Sequence, residues 1–160
     1  MRLKALMYGA AGAVLISTPA SADTVTDWWE TANRYWLASQ GAPGPLGPDA
    51  ARAATRTTLA MFEAINAIDR RYQSYLGFPQ GDRNASQDAA AATAAYKVLL
   101  KHYPSNKAAL DESYTLSMTG IPESAAKQVG IQLGEKGAAA GMDANGVGPA
   151  ILQAPYPPRT

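Results

Sequence analysis

Cysteine is absent from the 160 residues, which excludes disulfides, thiolate metal sites and a cysteine nucleophile. Histidine occurs once, as His102. Charge of either sign is sparse: 14 Lys and Arg face 13 Asp and Glu, for a formal net charge of +1. The basic residues are scattered, so there is no electrostatic reason to expect a nucleic acid or an anionic membrane surface as partner. No P-loop, dinucleotide-binding glycine motif, H-E-x-x-H helix or nucleophile elbow occurs. Nothing repeats internally and no segment reads as a strand. The longest apolar run falls short of the roughly 20 residues that a membrane-spanning helix needs.

What is present reads as one exported, all-α domain. Met1 to Ala22 has the form of a secretory signal peptide, with Arg2 and Lys4 at its start, an apolar stretch from Ala5 to Ile16, and Ala20-Ser21-Ala22 as cleavage site, so that the mature chain begins at Asp23. Outside the cytoplasm and without disulfides, stability must come from helix packing. The length suffices for one domain with a modest core. Thr26 is placed to cap a first helix from Asp27 to about Ser39, with Trp28, Trp29, Tyr35 and Trp36 giving it aromatic weight. Gly41 to Pro48 then breaks the chain.

Pro48 suits the first position of a second helix that runs to about Tyr75, closed by Gly77, Pro79 and Gly81. At 100° per residue, Ala54, Met61, Phe62, Ile65, Ile68 and Tyr72 share one side, while Arg52, Arg56, Glu63 and Arg70 form a wet stripe on the other. No other segment has as many large apolar groups at helical spacing, so this helix is expected at the centre of the bundle. Asp69, beside Arg70 and Arg71, reads as a structural hydrogen-bond acceptor. Asn84-Ala85-Ser86 matches a glycosylation sequon, but Ser86 more simply caps a third helix, Gln87 to Tyr103, with Ala92, Tyr96, Leu99 and Tyr103 inward. Ser105 caps a fourth to about Met118, with Leu110, Tyr114 and Met118 inward, ended by Gly120. Pro122 opens a fifth to about Asp143, whose inward positions are Ala126, Gly130, Leu133, Gly137 and Gly141. Helical glycines each cost up to about 1 kcal/mol relative to alanine, so this stripe predicts close backbone approach to a neighbour. The Gly130–Gly134 spacing matches a membrane dimerisation motif, yet Gln128, Gln132, Glu135 and Lys136 mark a helix of water-exposed proteins. Residues 145–160 are rich in glycine and proline and read as a tail or linker.

The segment Ala60 to Tyr75, A-x-x-x-A-I-N-A-I-D-R-R-Y-x-x-Y, follows a V-T-D-W helix and precedes alanine-rich helices. In these features the chain, from about Val25 to Gly146, resembles the N-terminal helical half of bacterial vanadium-dependent haloperoxidases of the PAP2-like acid phosphatase superfamily. The resemblance implies a helical fold whose full-length members oxidise halide with hydrogen peroxide or hydrolyse a phosphomonoester. Their site holds vanadate or phosphate with a lysine, two arginines, a Ser-Gly turn and two histidines. One imidazole must ligate while the other exchanges protons, and this chain has only His102. The signatures K-x(6)-R-P, P-S-G-H and S-R-x(5)-H do not occur in it.

Accordingly the sequence supplies no catalytic, cofactor-binding or metal-ligating residues, and vanadate is expected only in full-length relatives. His102, in a last helical turn beside Lys101, reads as a residue compensating the helix dipole. Asp111 and Glu112 are adjacent, diverge on a helix and make no acid–base pair. The expected function is the non-catalytic N-terminal portion of an exported protein of this family, truncated before the oxyanion site. Its partner would be a missing or separately encoded catalytic half, or a second copy, met through the wet arginine stripe and the Trp28, Trp29 and Trp36 cluster. The alternative is an exported, non-enzymatic helical bundle that binds a protein or an apolar ligand. A third reading, a self-sufficient hydrolase, predicts phosphatase activity lost on His102→Ala.

Overall fold

The computed structural model describes residues 23–40 and 46–144. The expected signal peptide and the Gly/Pro-rich stretch 145–160 lie outside them. Five α-helices follow one another: α1, Thr24–Gln40; α2, Leu46–Ile68; α3, Gln87–His102; α4, Lys107–Thr119; and α5, Ala125–Asp143, with a single 3-10 turn, Pro104–Asn106, before α4. The described residues contain no strand, and the all-α class read from the sequence stands. No helix among them is long and apolar enough to cross a membrane.

The central helix is α3, not α2 as expected. It packs against all four other helices, and Ala89 to Ala95 are buried in succession, so that this stretch, beyond the exposed Gln87 and Asp88, faces water on no side. Counting large apolar side chains pointed to the wrong helix, because alanine lets backbones approach where leucine would hold them apart. Ser86 caps α3 as expected, its Oγ accepting from the Ala89 N–H at 3.2 Å.

The glycine stripe of α5 accounts for the tightest packing. A Cβ at Gly134 would stand 2.5 Å from the Ala90 carbonyl oxygen and 2.7 Å from Thr93 Cβ, and one at Gly130 would strike the carbonyl of Ser86. Further along, Gly137 and Gly141 face Ala60, Ala64 and the Arg56 carbonyl of α2. Helix α5 therefore lies in the crease between α3 and α2, parallel to the first and antiparallel to the second.

Several element boundaries differ from the sequence reading. Helix α1 starts at Thr24, where Asp23 Oδ1 accepts from the Val25 N–H at 3.3 Å, so Thr26 is inside the helix and not its cap. Helix α2 starts at Leu46, ahead of Pro48. Asn106, not Ser105, precedes α4, because Pro104 favours a 3-10 turn there. Ser124, whose Oγ accepts from the Lys127 N–H at 3.1 Å, caps α5, and Pro122 stays in the turn before it.

That turn is closed by Lys127, which is only 5% exposed. Its Nζ donates to the carbonyls of Met118 at 2.8 Å and Ile121 at 3.1 Å and pairs with Glu123. Carbonyls left over at the end of α4 thus obtain a charged donor. Trp28, buried, ties α1 to α4 by donating from Nε1 to Ser117 Oγ at 3.1 Å.

Candidate functional site: an aromatic groove on the outer face of α2

Helix α2 ends at Ile68, seven residues before the expected Tyr75, although its apolar spacing continues through Tyr72. Side chains from its last turns take over the backbone groups of the segment that follows. Asn66 Nδ2 donates to the Tyr72 carbonyl at 2.9 Å, and Asn66 Oδ1 accepts from the Tyr72 N–H at 3.1 Å, as a neighbouring strand would. Glu63 accepts from Ser74 Oγ and from the Leu76 N–H, both at 2.7 Å. Ser74 Oγ in turn accepts from the Phe78 N–H at 2.6 Å. Arg70 Nη2 donates to the Phe78 carbonyl at 2.6 Å, and Gly77 supplies the one positive φ, 70°, that the turn requires. This competition from local side chain to backbone bonds stops the helix.

Glu63 is therefore not part of a wet stripe: it is 0% exposed. Tyr72 is not a core residue either, being 68% exposed, with Tyr75 at 46%. The clasp holds these two rings beside Phe62, whose ring centroid lies 6.3 Å from that of Tyr72. Exposed Trp29 of α1, at 50%, faces the same space.

Two hollows result, meeting at Phe62 and Thr58. The first, of about 540 Å³, lies between α1 and α2 over Met61 and Ile65, walled by Val25, Trp29 and Tyr72, with Asp69 and Arg71 at its rim. The second, of about 650 Å³, is bounded by Thr55, Leu59, Gln73 and Tyr75. Asp69 Oδ2 accepts from Arg71 Nε at 2.6 Å, which agrees with the structural acceptor expected there. An apolar trough with a few polar groups at one edge is the usual form of a binding site.

Elsewhere a few titratable groups tie helices together. Half-buried His102 has Nε2 3.4 Å from Arg56 Nη1, so its ring faces α2 instead of serving only the end of its own helix. Asp111 accepts from Tyr96 Oη at 2.7 Å and pairs with Lys107. The Lys107 bond and that of Tyr96 hold the Asp111 carboxyl below its ordinary range. The same Asp111 bond, with burial, pushes the Tyr96 hydroxyl up to about 12. Tyr96 also stacks on Tyr114 at 4.4 Å, a tie between α3 and α4. Tyr103 stacks on Tyr35 at 5.0 Å, and burial raises its pKa. Among the described residues, no group of three or more His, Cys, Asp or Glu side chains could hold a metal ion.

Of the contact residues expected from the sequence, only part is brought together. Trp28 points into the bundle and Glu63 is sequestered, while Trp29 is available. Comparison with family models, characterised proteins and solved structures gives no match. The groove was not foreseen, since its formation depends on where α2 stops.

Proposed function

We propose that this chain is a non-catalytic helical domain of an exported protein related to vanadium-dependent haloperoxidases and PAP2-like phosphatases, and that it acts by docking through the outer face of α2. The single observation behind this reading is the clasp. Asn66 and Arg70, within the stretch that carries the resemblance, and Glu63 beside them spend their side-chain polar groups on holding a loop that presents aromatic rings to solvent. Buried polar groups used in this way rigidify a surface, and preset aromatic rings bind at low entropic cost. The reading of an independent bundle that binds an apolar ligand or a protein draws on the same two hollows and keeps its place as the second reading.

The test is an assay of the purified chain for bromide oxidation with vanadate and hydrogen peroxide, and for phosphomonoester hydrolysis, coupled to reading the coding sequence downstream. An in-frame or frameshifted segment encoding P-S-G-H, together with an inactive chain, is the expected result. Turnover by the chain alone, lost on His102→Ala, overturns the non-catalytic reading. An unrelated downstream gene moves the function to the independent binding bundle.

A further inference from the structure

We infer that the groove on α2 is filled by the chain's own Pro155-Tyr156-Pro157-Pro158-Arg159 segment, which lies outside the described residues. The inference rests on the reading of this groove as a docking face and names its occupant. Three observations point the same way.

The first is the match of spacing. Pro155 and Pro158 form a P-x-x-P pair, and in an extended polyproline helix, with three residues per turn and a rise of about 3.1 Å, such prolines project from one edge about 9 Å apart. Aromatic-lined troughs receive segments of this kind because the ligand loses little entropy on binding. The receiving surface here is two adjoining hollows that share the Phe62 ring, flanked by Tyr72 and Trp29 on one side and Tyr75 on the other.

The second is the path. Helix α5 runs antiparallel to α2 and leaves it beside Arg56 and Ala60, where Gly141 packs. Thr55 and Leu59, on the adjacent side of α2, line the second hollow. Ten residues separate Ala144 from Pro155, a reach of up to about 33 Å, against a helix diameter of about 10 Å to be crossed. A segment arriving from α5 meets the Leu59 hollow first and continues along α2 towards Asp69.

The third is charge. In that direction Pro155 enters the Leu59 hollow, Pro158 the Trp29 hollow, and Arg159 comes to the rim that carries Asp69. The Asp69 side chain is 43% exposed, so its carboxylate can accept a second guanidinium alongside Arg71.

The experiment places a photo-reactive benzoylphenylalanine at Tyr156 in the full chain and maps the crosslinks of the monomer by mass spectrometry, with dye binding by 8-anilinonaphthalene-sulfonate read in parallel. Crosslinks to peptides containing Thr55 to Phe62 or Asp69 to Leu76 are expected, and Pro155→Ala/Pro158→Ala should raise dye fluorescence several-fold by uncovering the groove. Crosslinks between copies, to another surface, or none at all overturn the inference. Phe62→Ala and the exposed Tyr72→Ser separate the two levels of the argument. If the crosslinks fail yet either variant lowers dye binding of the parent chain, the groove is a docking face with another occupant. If neither variant changes dye binding in the parent or in the proline variant, the docking reading fails as well.

Discussion

Replacing Glu63 by alanine tests the clasp at its most buried point. The carboxylate is 0% exposed and accepts two hydrogen bonds of 2.7 Å, one from Ser74 Oγ and one from the Leu76 N–H. Hydrogen bonds to a charged group contribute about 1.5–3 kcal/mol each, but the cost of burying the charge offsets part of that. Truncation also leaves the Leu76 N–H and the Ser74 hydroxyl without an acceptor and opens a void beside α2. The expected loss is about 3 kcal/mol, which for a domain of this size lowers the melting temperature by about 10 °C. Glu63→Gln keeps an oxygen for the Leu76 N–H, yet turns an amide donor towards Ser74, whose own hydroxyl then lacks an acceptor. It should fall about midway between parent and alanine variant. Thermal and urea denaturation of the full chain give the stability, and limited proteolysis reads the loop directly, with new cleavage expected between Asp69 and Phe78. If Glu63→Ala melts with the parent and its loop stays equally resistant, the clasp does not organise this surface, and the presented aromatics lose their explanation.

The glycine stripe gives a paired prediction. Gly134→Ala brings a Cβ to 2.5 Å from the Ala90 carbonyl, which backbone cannot yield, and should destabilise by about 2 kcal/mol despite the gain in helix propensity. Gly120→Ala, whose Cβ would meet only Ser117 O at 3.7 Å, should be neutral or slightly stabilising in the same urea titration. Trp28→Phe removes the bond to Ser117 Oγ, which keeps its own bond to the Ser113 carbonyl, and leaves some volume unfilled, for a cost of about 1–3 kcal/mol by thermal melt. Tyr96 gives an alkaline prediction. Its pKa is raised from 10.0 to about 12 by Asp111, so its contribution is fully present below pH 10 and disappears as pH rises through 12. Tyrosinate absorbance should show late-titrating rings, of which Tyr96→Phe removes one and leaves Tyr103. Asp111 has the opposite sign: its depressed pKa contributes above the ordinary carboxylate range and is lost as pH falls through the folded value, an acid limb that Lys107→Met should weaken.

Local signals were legible where one residue decides the outcome locally. Ser86 as a cap, Gly120 as a stop, and the inward run Gly130, Leu133, Gly137 and Gly141 were all readable from spacing, and all hold. The end of α2 was not readable in this way. Ile68 and Tyr72 extend the apolar period by one turn, and the groups that stop the helix act at separations of six to thirteen residues. A helical wheel assigns Glu63 to the same stripe as Arg52 and Arg56, because it encodes angle but not the loop that folds back over that angle. The centrality of α3 was hidden for a different reason. Alanine scores low in any count of large apolar groups, whereas seven successive buried positions, including Ala89 to Ala92, demand small side chains because four helices crowd the same axis.

The same crowding explains why large rings are left on the outside of α2. Its inner side carries Ala53, Thr57, Ala60, Ala64 and Ala67, all buried, and the Gly137 and Gly141 contacts leave no slot there for a larger group. Phe62 and Leu59 are therefore placed on the outer side, where α1 covers only one edge and the clasped loop the other. Fully covering such a side chain is worth about 1.5–3 kcal/mol, so an occupant touching Phe62 and one neighbouring ring needs little further interface. A tethered segment needs still less. A short linker supplies an effective concentration of about 1 mM, at which a segment with an intrinsic dissociation constant of about 0.1 mM is docked roughly nine-tenths of the time. Weak, adaptable contacts are then sufficient within one chain, while an outside partner must either bind more tightly than that or displace the segment. The groove is thereby guarded against chance association, and only a partner that outcompetes the tethered segment docks there.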